Sequence, residues 1–381
     1  MIPAARAAAA IGVLDRILSG QNAEVALTNW GRASRYAGSG DRAGVRDIVY
    51  DALRCRRSFA ALGGDATGYG LVLGWARASG KEALFSGEGH APAMPADAGR
   101  AAEGLEALDC PEWLGPDLAA SLGDDFTPVM QALRQRAPVF LRANLARATR
   151  DAAIAALADE GIHAKAHALA DSALEVTEGA RKVQTSDAYL GGLVELQDAA
   201  SQAVVAMLPL RDGLRVLDLC AGGGGKTLAM AARARMTVYA HDADARRMSD
   251  LPARAKRAGA AVRLTATPEK AAPYDLVVTD VPCSGSGSWR RDPQGKWALD
   301  AERLRELVQV QAGILDRAAR LVQAGGAIGY ATCSLLGVEN SAQVHGFLTR
   351  HPDWRCEVER QFTPLEGGDG FYCAVLRLPA P

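Results

Sequence analysis

From about residue 214 the chain settles into a rhythm of short apolar runs and helix-length segments, and this rhythm restricts the fold most. Residues 215–220, 237–242, 262–267, 274–280 and 327–333 read as strands. Residues 226–235, 245–258 and 301–323 read as helices, the second kinked near Pro252 and the third stopped by Gly325-Gly326. Alternating β and α units require a mostly parallel sheet with helices on both faces. The expected fold class is α/β with a doubly wound sheet. Residues 354–359 and 371–378 read as two further strands that make an antiparallel hairpin at one edge. In such a sheet the first strand lies beside the fourth, and the fourth beside the fifth. The ends of 215–220, 274–280 and 327–333 therefore open into one cleft.

The front of the chain has a different pattern. Ile11, Leu14, Leu18 and then Val45, Ile48, Val49, Leu53 recur at helix spacing, so residues 1–62 read as helical. A break at Gly38-Ser39-Gly40-Asp41 separates two helices, with Asp41 as the expected N-cap. Residues 80–104, rich in Gly, Ala and Pro, read as linker. Between 111 and 205 a strand over 138–144 and helices over 149–160 and 202–208 indicate a small mixed α/β segment. Three parts result: 1–110 helical with its linker, 111–205 mixed, and 206–381 the doubly wound sheet.

Charge and cysteine usage narrow the function classes. The net charge of -1 neither announces nor excludes a nucleic-acid partner, because clustering matters more than the sum. No run approaches the roughly 18 apolar residues of a membrane span, and no signal-like apolar core follows Met1. The seven cysteines include no CxxC pair, which argues against a zinc site and for free thiols in the cytoplasm.

Two of these cysteines stand out. Cys283 lies in Asp280-Val281-Pro282-Cys283-Ser284-Gly285-Ser286-Gly287 and Cys333 in Ala331-Thr332-Cys333-Ser334, each just past an expected strand. Cysteine is the best side-chain nucleophile as a thiolate, and small polar neighbours leave it accessible. Cys55, Cys110, Cys356 and Cys373 lack such contexts and read as inert small hydrophobes.

A glycine turn, Asp218-Leu219-Cys220-Ala221-Gly222-Gly223-Gly224-Gly225-Lys226-Thr227, follows the first strand. Gly225-Lys226-Thr227 matches the end of a P-loop, but Cys220 stands where its first glycine belongs. Gly222 and Gly224 match a dinucleotide turn, but Thr227 takes its third glycine. S-adenosylmethionine binding is the third reading; it needs an acid at the end of the second strand for the ribose hydroxyls, and Asp242 stands there.

Taken together, these motifs resemble the RNA cytosine-C5 methyltransferases of the Nol/Nop/Sun family, closest to the bacterial 16S rRNA branch called RsmB or Sun. The resemblance rests on the glycine turn, on Asp280-x-Pro282-Cys283-Ser284 and on Thr332-Cys333-Ser334. It extends to Arg291-Asp292-Pro293 with Lys296-Trp297, Glu339-Asn340, Gln197-Asp198 with Ser201-Gln202, Leu141-Arg142-x-Asn144 and Asp369-Gly370-Phe371, covering about residues 110–378.

The resemblance implies a Rossmann-like methyltransferase sheet preceded by a helical, NusB-like domain, of which residues 1–62 are a short version. It implies catalysis by Cys333 as the attacking thiolate, Cys283 as the releasing thiol, Asp280 at the base and Lys226 beside it. S-adenosylmethionine would be held by Cys220, Ala221, Gly222, Gly223, Gly224, Gly225, Lys226, Asp242 and Asp280. RNA phosphates would meet Arg142, Arg290, Arg291 and Lys296. The implied partner is RNA, 16S rRNA in particular, with no metal and no membrane, for a monomer. Three departures are visible, one being Gly337 where the family has a proline after the fifth strand. Gly222-Gly223 replaces the family's Ala-Pro, and Leu264-Thr265-Ala266-Thr267 lacks the acid expected at the adenine. The competing readings are a P-loop-like nucleotide-binding protein and a catalytically weak RNA-binding scaffold.

Overall fold

The computed structural model describes residues 1–95 and 99–380. The chain divides into two compact units, Met1–Arg136 with Trp289–Leu299, and Ala137–Ser288 with everything from Asp300 onward.

The first unit is helical. Its front contains Pro3–Leu18, Ala23–Ala33, Ser39–Arg54, Arg56–Gly63 and Gly68–Ala78, more and shorter helices than the two expected. Local chemistry sets the breaks. Asn22 caps the second helix by accepting from the Val25 N–H at 3.2 Å. Asp41 is not the N-cap of the third; it lies a turn inside and accepts the Gly38 N–H at 3.1 Å. Gly64, at φ +93°, ends the fourth. A Cβ on Gly63 would lie 1.8 Å from the Gly70 carbonyl oxygen, so the last two helices pack backbone to backbone. Ala7, Ala10, Val13, Leu14, Val45, Val49, Leu71 and Val72 fill the core. The expected linker includes the short 3-10 turn Glu82–Leu84, and its residues 96–98 lie outside the described residues. Trp289–Leu299 joins this unit through the helix Pro293–Ala298.

The second unit contains two sheets. The smaller is antiparallel, in the order β2-β3-β1-β4, with β1 Val139–Ala143, β2 His163–Ala166, β3 Ala173–Glu178 and β4 Val194–Leu196. Leu141 and Ala143 of β1 share a core with Ala153 and Leu157 of the helix Arg150–Asp159, which Thr149 caps.

The larger sheet holds β5 Arg215–Asp218, β6 Thr237–Ala240, β7 Val262–Leu264, β8 Tyr274–Asp280, β9 Val322–Thr332, β10 Arg355–Phe362 and β11 Phe371–Arg377. Its order is β10-β11-β9-β8-β5-β6-β7. The run from β9 to β7 is parallel, and the final two strands add antiparallel at the edge. The doubly wound expectation with its terminal hairpin holds.

Three details differ from the sequence expectation. The long helix ends at Ala319, not Gln323, and Gly325-Gly326 lies within β9, where the register with β8 shifts. Gly325 has φ +77°, and here that conformation bends the strand at the register shift instead of ending the helix. The segment 245–258 is a 3-10 turn, Ala245–Met248, followed by the helix Leu251–Ala258, with Pro252 in the first turn of that helix where its missing N–H costs nothing. A helix over Ser341–Arg350, not anticipated, links β9 to β10.

Candidate active site

The site follows from strand register. β8 and β9 run parallel with Asp280 opposite Ala331, and the Val281 N–H donates to the Ala331 carbonyl at 3.0 Å. Cys283 and Cys333 thus leave adjacent strands at the same level, and their Sγ atoms lie 3.3 Å apart as separate thiols. The loop after Cys283 turns back on the same edge. Its Gly287 N–H donates to the Cys333 carbonyl at 3.0 Å. A Cβ there would lie 2.0 Å from the Gly370 oxygen, so only glycine fits.

The two thiols are not equivalent. The hydrogen bond with Cys333 raises the Cys283 pKa well above the ordinary thiol value, with burial and the Glu339 charge adding to it. The same hydrogen bond lowers Cys333, against burial and the Asp280 charge, and Lys226 and Ser288 assist the lowering. The proton of the pair belongs on Cys283 and the negative charge on Cys333.

Lys226 and Asp280 form an ion pair at the mouth of this cluster, with Nζ 2.7 Å from Oδ2. Burial works against the Lys226 charge, but Asp280 outweighs it and the Lys226 pKa lies above its ordinary value. The ammonium also lies 4.9 Å from the centre of the Phe371 ring. A lysine so enclosed is not presented to a phosphate chain, which disfavours the P-loop reading.

The turn from Cys220 to Gly225 passes beside the end of β6. Gly222 and Gly224 have φ of +51° and +82°, and a Cβ on Gly224 would meet Leu251 at 2.3 Å. The buried Asp242 carboxylate accepts the Gly222 N–H at 2.8 Å and the Asp244 N–H at 3.0 Å. Arg247 reaches it at 3.3 Å, and Arg254 donates to the Gly223 carbonyl. Ala221 is spent differently, its N–H donating to the His241 carbonyl at 2.9 Å. The Cys220 thiol is mostly enclosed, and burial raises its pKa. Just past β7, where the sequence lacks the expected acid, the Thr265 carbonyl faces His241 Nδ1 at 3.0 Å.

The phosphate contacts expected of three basic residues do not fit their positions. Arg142 is 4% exposed, donates to Gln197 and, at 2.8 Å, to the Gly225 carbonyl, and burial pushes its pKa down to about 10. It braces the glycine turn from β1. Lys296 is 1% exposed; its Nζ donates to the Arg54 and Asp109 carbonyls at 2.9 and 3.0 Å, and burial lowers its pKa to about 8. Arg290 is also buried, and its carbonyl accepts from Arg54 Nε at 2.8 Å. Arg291 alone of the four is exposed. Among the described residues no helix is long and apolar enough to cross a membrane, and no group of three or more metal-ligating side chains forms.

The sequence reading passed over Gln311, Arg247 and the role of Glu339. Glu339 is fully buried and accepts from Ser284, Ser334 and Gln311. Gln311 carried a signal: it is a polar residue on the buried stripe formed by Leu304, Leu307 and Leu315. Arg247 carried none, being one arginine among several.

Residues 205–377 match the family described as 16S rRNA methyltransferase RsmB/F. Residues 110–184 match the ferredoxin-like domain of RsmF/B-like methyltransferases. The chain is 34% identical over 284 residues to ribosomal RNA small subunit methyltransferase B of Salmonella arizonae, covering 70% of this chain and 66% of that protein. The protein of the same name from Escherichia coli O6:K15:H31 is 34% identical over 288 residues, with the same shares covered. The chain thus spans just under two thirds of the length of these curated relatives. Among solved structures, PH0851 superposes with a TM-score of 0.76 at 22% identity over 99% of both chains. NSun6 from Pyrococcus horikoshii with SFG superposes at 0.63 and 16% identity, over 71% of this chain and 99% of that one. At these identities the two structures establish the shared fold.

Proposed function

The chain belongs to the RsmB/F methyltransferase family, and from that premise we propose that it methylates C5 of a cytosine in RNA, with 16S rRNA as substrate and the cytoplasm as its compartment. The observation that carries the chemistry is the 3.3 Å contact between Cys283 and Cys333 at the ends of neighbouring strands. Cytosine C5 is too weak a nucleophile to accept a methyl group unaided. The Cys333 thiolate adds to C6, a sulfur–carbon bond forms, and electron density moves to C5. Lys226, paired with Asp280 beside the thiols, offsets the negative charge that develops on the ring, and Asp280 orients the base by accepting a hydrogen bond at the N3 edge once N3 carries a proton.

S-adenosylmethionine, when bound, supplies an electrophilic methyl group. The glycine turn fits it: Gly222 and Gly224 give the turn the positive φ it needs at the end of β5, and Asp242 offers the carboxylate a ribose diol needs. The residues of the turn and Lys226 set the approach to C5, which must fall near 3–3.5 Å. After C5 has gained the methyl group it must lose its proton, and the bond from Cys333 to C6 must break. Once Cys333 is bound to carbon, the largest cause that held the proton on Cys283 is gone. Cys283 can then release that proton to solvent and take the one from C5. The C5 electron pair expels Cys333 as thiolate.

The target base must be unstacked to reach this cleft. The exposed Arg291 is the phosphate contact retained from the sequence reading, and the helical unit is the NusB-like RNA-binding part of the chain. Purified protein incubated with rRNA and S-adenosylmethionine, followed by bisulfite mapping, tests the activity. Cys333→Ala should abolish both methylation and any covalent RNA adduct, and retained methylation would remove Cys333 from its role. Cys283→Ala should trap the Cys333 adduct as a shifted band on a denaturing gel; its absence would remove Cys283 from release.

A further inference from the structure

We propose that Glu339 is a positioning residue that draws the two cysteine loops together and sets a negative charge beside the Cys283 loop. This deepens the covalent reading given above and rests on it. Glu339 is completely buried in the turn Gly337–Glu339, after β9. Its Oε1 accepts the Ser284 N–H at 2.8 Å and the Gln311 side-chain N–H at 3.0 Å. Its Oε2 accepts the hydroxyls of Ser284 and Ser334, both at 2.5 Å. Ser284 follows Cys283 and Ser334 follows Cys333, so one carboxylate holds the residue after each thiol. Gln311 completes the clamp by donating to the carbonyl of Pro282, the residue before Cys283, at 3.0 Å. Four donors converge on Glu339, which matches the acceptor capacity of a carboxylate anion.

The clamp also carries a charge. The titratable and charged groups facing the thiol pair are Glu339, Tyr330, Asp280 and Lys226. Glu339 acts on Cys283, where negative charge favours the protonated thiol. Lys226 acts on Cys333, where positive charge favours the thiolate, in opposition to Asp280. Tyr330 is a neutral phenol whose hydroxyl donates to the Glu339 carbonyl. The hydrogen bond between the thiols sets the direction in which they share the proton, and the Glu339 charge on the Cys283 side reinforces it.

The test measures thiol chemistry in the full chain without RNA or cofactor. Alkylation of Cys283 and Cys333 by iodoacetamide, located by mass spectrometry, is followed against pH. Diamide-driven linkage of the two thiols serves as a ruler of their separation. Glu339→Gln keeps an oxygen for the two N–H donors and can donate to the two hydroxyls, so it preserves the clamp and removes the charge. Cys283 in this variant should alkylate about tenfold faster at a given pH, a shift of about one unit. Glu339→Ala should slow diamide linkage about tenfold, with Glu339→Gln restoring the wild-type rate, because alanine offers no acceptor to either loop. A Cys283 profile in Glu339→Gln that superimposes on wild type would overturn the proposal, as would unchanged linkage in Glu339→Ala. Should the alanine variant not fold, the Gln profile decides alone. Wild-type protein that fails to methylate RNA yet shows these thiol effects would refute the methyltransferase reading and leave the role of Glu339 standing.

Discussion

Arg247 lies 3.3 Å from the Asp242 carboxylate, and that carboxylate also holds the glycine turn through the Gly222 N–H. The cofactor reading gives Asp242 a further partner, a ribose diol. Asp242 is 4% exposed at its side chain and Arg247 60%, so the arginine is the member of the pair that can leave. A cofactor that engages Asp242 must compete with a guanidinium already in place.

Removing that competitor should help binding. Arg247→Ala is expected to tighten S-adenosylmethionine by up to about fivefold, the range of an ion pair with one exposed partner. Asp242→Ala should weaken it by more than tenfold, because the turn loses its carboxylate as well. Isothermal titration of both variants checks this. Weaker binding in Arg247→Ala would mean that the arginine contacts the cofactor instead of competing with it.

Lys226 is a positive charge that acts on Cys333, and it is the partner of Asp280. Lys226→Met should leave Asp280 uncompensated and move the alkylation profile of Cys333 to higher pH by about one unit. Methylation at neutral pH should fall with the thiolate fraction and partly recover in alkaline buffer. A Cys333 profile unchanged by the substitution would show that Cys283 alone sets its reactivity.

The sheet was legible because buried parallel strands are short apolar runs between helices, as in 274–280. The pairing of the two thiols was legible because topology puts the ends of β8 and β9 side by side. The smaller sheet was largely missed: β2 has four residues, mostly exposed, and β4 has three, too few for an alternation to show. Lys296 and Arg142 were misread because a basic residue near a catalytic motif looks the same in sequence whether it faces solvent or backbone carbonyls. Only the fold reveals that Lys296 satisfies Arg54 and Asp109 across more than 180 residues of sequence. Gln294 and Trp297, bonded to Gln21 and Leu53, are hidden in the same way.

Asp218 provides a pH test of the fold itself. It is fully buried at the end of β5; its Oδ2 accepts the Thr227 hydroxyl at 2.6 Å and its Oδ1 has no hydrogen-bond partner. Burial pushes its carboxyl up to about 7, against the Thr227 hydrogen bond. A carboxyl raised in the folded state stabilises fully below its unfolded pKa of about 4, and that stability is lost as pH rises toward 7. The loss is on the order of a few kcal/mol. Asp218→Asn does not titrate, so wild type should lose stability relative to it between about pH 4 and 7. Denaturant melts across that window check this, and parallel curves would show that Asp218 stays ionised throughout.

The RNA surface can be separated from the buried basic residues by salt dependence. Arg291 is exposed, while Lys296 is spent on the Arg54 and Asp109 carbonyls. If Arg291 meets a phosphate, Arg291→Ala should lower the slope of log affinity against log salt by about one. Lys296→Met removes an equal formal charge from a buried site. It should leave the salt slope unchanged and instead lower thermal stability, because two buried carbonyls lose their donor at about 1–3 kcal/mol. RNA-binding isotherms at several salt concentrations, paired with thermal melts, read both effects. Equal slopes for Arg291→Ala and wild type would move the phosphate contact elsewhere, and a reduced slope for Lys296→Met would mean that the lysine leaves its carbonyls when RNA binds.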